Sequence, residues 1–196
     1  MARLGIAGYM GSGKSTFAHV LSQKGYTVFD ADSIAKKLMN TSQDIKEKLV
    51  TAFGHTVLSD NEIQFSVLGN ICFSSETKLA ALNEIVHPPL IEHLETIICN
   101  EHAGPCVLDA ALIPLWSIAQ WFDRLYWVHA SREARLKRLS KKLAIPMPDL
   151  EKRMQQQEQL FQEPTGDTWT TLLNDGTVEE FQEKISTVCK TFDNYT

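Results

Sequence analysis

The run Gly8-Tyr9-Met10-Gly11-Ser12-Gly13-Lys14-Ser15 holds the residues of this chain best suited to chemistry on phosphate. Its glycines let successive amides turn inward as an anion nest, and a helix opening at its end adds the positive pole of its dipole. In the pattern G-x-x-x-x-G-K-[ST] the Lys14 ammonium bridges the β- and γ-phosphates, and the Ser15 hydroxyl ligates magnesium. Leu4-Gly5-Ile6-Ala7 reads as a strand before the loop and Thr16-Phe17-Ala18-His19-Val20-Leu21 as a helix after it. The segment therefore predicts a site for a nucleoside triphosphate, contacted by Gly8, Gly11, Ser12, Gly13, Lys14, Ser15 and Thr16.

Loops of this kind serve GTPases, motors, transporters and small-molecule kinases alike. No Asn-Lys-x-Asp guanine signature and no Leu-Ser-Gly-Gly-Gln transporter signature occurs. A kinase acting on a small alcohol needs a carboxylate to take the proton, a lobe to hold the acceptor, and a cationic lid. Asp30-Ala31-Asp32 follows the second strand-like run, where Asp32 can accept a proton from an attacking hydroxyl. The other reading of these aspartates is a cap on a helix beginning at Ser33. Asp109, after Val107-Leu108, stands where a carboxylate behind magnesium is expected. Arg138 and Lys142 are four apart, as are Arg153 and Gln157, the spacing that sets side chains on one helix face over phosphates. A solvated helix surface is the plainer alternative.

Five apolar runs must position these groups: Leu4–Ala7, Tyr26–Phe29, Cys106–Leu108, Leu125–Val128 and Thr171–Leu173. Most are followed by a helical pattern, and the last ends at the turn Asn174-Asp175-Gly176 before an amphipathic helix reaching to about Cys189. Alternation of this kind predicts a parallel sheet covered on both faces, with ligands at the carboxyl ends of its strands. Between Thr41 and Gly104 the pattern turns helical, and His87-Pro88-Pro89 is expected to break or kink the run. The expected organisation is a single α/β domain with a five-stranded parallel sheet, a helical insertion over 41–104 and a lid over 132–160.

The 196 residues suffice for one well-buried domain, and 43% hydrophobic against 22% charged content excludes a disordered or fibrous chain. A formal charge of −5 disfavours blanket binding to nucleic acid or anionic membrane, and no apolar run is long enough to span a bilayer. The segment Arg132 to Arg153 is nonetheless +5, so a cationic patch sits on an anionic body and suits a small polyanion. Cys72, Cys99, Cys106 and Cys189 show no C-x-x-C pairing, in keeping with buried thiols in a reducing cytoplasm.

With these residues in place, the chain resembles dephospho-coenzyme A kinases along nearly its whole length. The resemblance is carried by Gly11 to Thr16, Val28-Phe29-Asp30-Ala31-Asp32, Phe53-Gly54-His55-Thr56-Val57-Leu58, Leu82 to Pro88, the Arg138 region, Arg153 to Gln157, and the Asn174-Asp175-Gly176 turn. It implies a P-loop NTPase-type three-layer fold and transfer of the ATP γ-phosphoryl group, with Mg2+, to the ribose 3′-hydroxyl of dephospho-CoA, the last step of coenzyme A synthesis. By the same likeness Asp32 is the base, the helical insertion holds the acceptor with Asp32, His87 and Asp109, and Lys14 and Arg138 act on the migrating group. Arg138, Lys142, Arg153 and Gln157 form the lid. ATP and dephospho-CoA are the expected partners of a cytoplasmic, monomeric enzyme.

Departures from the family pattern concentrate on the acceptor side. Phe65 stands where an Arg is usual, and Ala111-Leu112-Ile113-Pro114-Leu115 lacks the usual acid. Lys142 replaces a common Arg and Arg135 a frequent Gln. Trp116, Trp121 and Trp127 lie near these changes and are expected to be packing residues. Shikimate kinase starts similarly, yet its Gly-Gly-Gly turn has no counterpart here, since the chain contains no Gly-Gly pair. A degenerate, ATP-binding but inactive protein is the remaining alternative.

Overall fold

A computed structural model describes residues 2–193. In chain order the elements are β1 (Arg3–Ala7), α1 (Lys14–Gln23), β2 (Thr27–Asp30), α2 (Ala31–Thr41), α3 (Gln43–Phe53), β3 (Leu58–Ser59), β4 (Glu62–Ile63), α4 (Phe65–Cys72) and α5 (Glu76–Glu95). After a π-helical turn at Thr96–Glu101 come β5 (Cys106–Asp109), β6 (Arg124–His129), α6 (Arg132–Lys142), α7 (Met147–Leu160), β7 (Trp169–Leu173) and α8 (Val178–Asp193). They form two compact units, one running to Asp30 and resuming at His102, the other spanning Ala31–Glu101.

The first unit is built on a five-stranded, all-parallel sheet in the order β2-β5-β1-β6-β7. Leu4, Ile6, Val107, Trp127 and Val128 have no exposed surface, so the central strands are covered on both faces, as parallel sheets require. Phe17 and Leu21 of α1 with Phe181 and Ile185 of α8 close one face. The register sets Ile6 of β1 beside Asp109 of β5, and Asp109 beside Asp30 of β2, so two carboxylates end adjacent strands.

The second unit is helical, with a core of Met39, Ile45, Leu49, Val57, Ile63, Leu68, Cys72 and Val86. It takes in α2, so it begins ten residues before the expected start of the helical segment at Thr41. Two features differ from expectation. Residues Leu58–Ser59 and Glu62–Ile63 form an antiparallel hairpin turned by Asp60 and Asn61, both in the left-handed region (φ 50° and 63°). And His87-Pro88-Pro89 does not break its helix: α5 runs from Glu76 to Glu95 with both prolines inside. Each proline deletes one amide donor. Val86, Leu90 and Leu94 nevertheless keep one buried stripe on either side of them, and that packing outweighs the lost hydrogen bonds. Among the described residues no helix is long and apolar enough to cross a membrane.

Candidate active site

The loop from Gly8 to Gly13 joins the carboxyl end of β1 to the first turn of α1. Gly13 caps that helix at φ 108° and ψ 16°, a left-handed conformation costly for any residue with a Cβ. A Cβ there would also meet Asn174 Nδ2 at 2.2 Å. At Gly8 (φ 150°) a Cβ would press on the Val128 carbonyl oxygen at 2.5 Å, so the neighbouring strand β6 fixes the loop's other end. The Lys14 ammonium folds back over the loop and donates to Gly8 O at 2.9 Å. Ser15 stands exposed in the first turn of α1, and Thr16 beside it is half-buried.

Three elements distant in sequence hold this loop from outside. Asn174, at the end of β7 and 6% exposed, donates from Nδ2 to Ser12 O at 2.7 Å and from its own amide to His129 O at 2.8 Å. Arg138 of α6 donates to Asn174 O at 2.7 Å, to Asn174 Oδ1 and Gly11 O at 3.3 Å, and to Gly176 O at 3.4 Å. Its planar fork thus ties the loop to the Asn174-Asp175-Gly176 turn, a task a lysine's point charge performs less well. Gln157 of α7 accepts the Met10 amide at 2.7 Å. The turn is itself fixed, because Asp175 accepts the Ser131 amide at 2.7 Å, and that bond holds its carboxyl below the usual carboxylate range.

An aromatic and ionic cluster supports the same loop. The Tyr9 ring meets Trp127 edge-on with centroids 5.1 Å apart and lies 5.3 Å from Phe161, while its hydroxyl donates to Phe161 O at 3.0 Å. Burial, as the main cause, raises the pKa of that phenol. Arg135, 3% exposed, lays its guanidinium over the Tyr9 ring at 4.9 Å and pairs with Glu158 of α7, which also pairs with Arg132. Trp127 is a core residue, as expected of a packing tryptophan, whereas Trp116 and Trp121 remain half-buried.

Of the residues singled out in the sequence, Gly8, Gly11, Ser12, Lys14, Arg138 and Gln157 share the hydrogen bonds that hold the loop, and Gly13 lies close against Asn174. Arg153 is half-buried on α7, and Lys142 is exposed in the last turn of α6, where its charge meets the negative end of the helix. Asp32 lies in the first turn of α2, which opens at Ala31 rather than Ser33. His87 lies half-buried on α5, and burial lowers the pKa of its ring. Sequence reasoning gave no role to Asn174, Arg135 or Tyr9. Asn174 was legible as part of a turn and of the family pattern but not as a brace of the loop, and the Arg135–Glu158 pairing spans two helices with no spacing to announce it.

A family model described as dephospho-CoA kinase matches residues 2–180. A dephospho-CoA kinase of Thermobifida fusca is 30% identical over 191 residues, covering 96% of this chain and 94% of that protein. A crystal structure from Thermus thermophilus superposes with a TM-score of 0.69 at 26% identity, covering 97% of each chain. The dephospho-CoA kinase from Campylobacter jejuni shares the fold, with a TM-score of 0.64 at 19% identity over 97% of this chain and 96% of that one. A phosphate loop braced by Arg138, Asn174 and Gln157 on a five-stranded parallel sheet, together with these matches, shows that the chain belongs to the dephospho-CoA kinase family.

Proposed function

We propose that the braced loop, Asp32 and the helical unit carry out the family's reaction through the residue roles set out below. That reaction is the ATP-dependent phosphorylation of dephospho-CoA, the final step of coenzyme A synthesis. In the proposed roles the amides of the loop from Gly8 to Thr16 bind the β- and γ-phosphates, and Lys14 neutralises the oxygens between them. Asp32 accepts the proton of the ribose 3′-hydroxyl as its oxygen bonds to the γ-phosphorus. The bond from that phosphorus to the β-phosphate oxygen breaks, and ADP leaves. Arg138, already seated at the loop, steadies the migrating group, and 132–160 serves as the lid with Lys142, Arg153 and Gln157. The unit Ala31–Glu101 takes the acceptor, with His87 lining its site.

The loop fits its nucleotide: Ser12 Oγ is buried with no hydrogen-bond partner in the chain, an orphan that a polar ligand would satisfy. Among the described residues no group of three His, Cys, Asp or Glu side chains gathers to hold a metal. Magnesium would therefore enter with the phosphates, held by the Ser15 hydroxyl with Asp109 behind it, and would supply charge neutralisation there. A cytoplasmic monomer completes the proposal.

The single observation that carries the assignment is the complete, externally braced phosphate loop, with Lys14 Nζ held 2.9 Å from Gly8 O. Purified protein with ATP, magnesium and dephospho-CoA should release ADP, and phosphorus NMR should show a new ribose 3′-phosphomonoester. Lys14→Ala should abolish nearly all of it, since a phosphate-clamping charge contributes about 3 kcal/mol to the transition state. ATP binding without turnover would instead mark a degenerate kinase, and turnover with shikimate alone would move the chain to another acceptor.

A further inference from the structure

The helical unit poses an electrostatic problem for its proposed ligand. Dephospho-CoA carries a pyrophosphate, yet Ala31–Glu101 contains ten acidic residues, five lysines and no arginine. The permanently charged cations this unit can offer an anion are Lys36, Lys37, Lys46, Lys48 and Lys78. Lys46 is 5% exposed and spends its ammonium on the Asn61 carbonyl at 2.6 Å, where it anchors the β3–β4 turn. Lys48 pairs with Asp44 at 2.6 Å on the surface of α3. Lys78 lies on α5 and Lys37 is turned away from Asp32 by the helical rotation of α2.

Lys36 differs from all of these. It sits four residues after Asp32 on α2, so the two share a helix face one turn apart. Its Nζ stands 5.8 Å from the centroid of the Phe65 ring at the start of α4. Phe65 is itself half-buried against the unit's apolar core, so the ring is a fixed platform rather than a loose surface group. A ring face engages one side of an ammonium and leaves its remaining N–H donors available, which positions the charge without neutralising it. Among the described residues no carboxylate forms an ion pair with Lys36.

We infer that Lys36, set by the Phe65 ring one helical turn from Asp32, binds the pyrophosphate of the acceptor and is a specificity-determining residue for it. The inference rests on the helical unit being the acceptor lobe and Asp32 the base. It gives Phe65 a positioning role: it acts through Lys36 and not on the substrate.

The test is steady-state kinetics on the full chain with ATP, magnesium and dephospho-CoA. Lys36 is exposed, so Lys36→Met leaves the core intact, and thermal melting should match wild type. Lys36→Met should raise KM for dephospho-CoA about tenfold or more, as loss of a charge-assisted contact predicts, with KM for ATP within about twofold. Lys36→Arg should restore most of the loss, and Phe65→Leu, which keeps apolar volume but removes the ring, should raise the same KM by a smaller factor. An unchanged KM for dephospho-CoA in Lys36→Met, or an Arg variant no better than Met, overturns the inference while the kinase assignment stands. A wild-type protein that turns over no dephospho-CoA overturns both, and does so before any variant is compared.

Discussion

Asn174 Nδ2 donates to Ser12 O at 2.7 Å, joining the phosphate loop near the start of the chain to the turn that ends its last strand. The same side chain accepts from Arg138 through Oδ1 at 3.3 Å, so one buried amide serves the loop and the cation beside it. Asn174→Ala would remove the short donor to the Ser12 carbonyl and leave it only the 3.5 Å contact from Arg138, a loss of about 1–3 kcal/mol in a buried site. The expected outcome is a lowered urea midpoint together with weaker ATP binding in a calorimetric titration. Loss of stability with wild-type ATP affinity would show that the turn supports the fold alone.

Gln157 Oε1 accepts the Met10 amide at 2.7 Å, which fixes the third residue of the loop from α7. Gln157→Leu keeps the side-chain volume and removes the acceptor. KM for ATP should rise several-fold, with the melting temperature lowered by no more than a few degrees, about the effect of one half-exposed hydrogen bond. Unaltered ATP kinetics would place Gln157 outside the nucleotide machinery.

Asp32 sits in the first turn of α2, one turn ahead of Lys36 on the same helix face. Asp32→Asn preserves shape and that helical position but cannot take a proton. Single-turnover phosphoryl transfer should slow by about 10²–10⁴ while ATP affinity is retained. A variant weakened only in ATP binding would remove Asp32 from the base role.

His87 is half-buried on α5, and burial disfavours its charged form, so its folded pKa lies below the ordinary 6.5. As pH falls through 6.5 the unfolded chain takes up the proton before the folded one does. This histidine's contribution to stability is therefore level above that pH and declines below it, until the folded ring itself protonates. His87→Gln should lose less stability than wild type between about pH 7.5 and about pH 5.5, read as the difference in urea midpoints. Parallel curves for the two proteins would place the His87 ring in solvent.

The parallel sheet was legible because its strands are short apolar runs bounded by turn residues, and the loop because pattern and strand–helix context coincide at Gly8 to Thr16. The unbroken run of α5 through Pro88-Pro89 was not, since local rules weigh only the two missing amides while Val86, Leu90 and Leu94 act through packing. Hairpin β3–β4 escaped notice because its strands are two residues each and its turn carries Asp60-Asn61 without a glycine. Helical spacing singled out Arg138 and Gln157, and both side chains contact the loop. The roles of Asn174, Tyr9 and Arg135 were not legible, because their partners lie far along the chain or across a helix pair.

The bond between Ser12 and Asn174 spans 162 positions. During synthesis a nascent polypeptide that has emerged only through α7 holds every residue of the motif and lacks the strut that shapes it. Nucleotide affinity should accordingly arise late and abruptly on the ribosome, once the final strand has docked, so that prematurely terminated products withhold themselves from the cell's ATP.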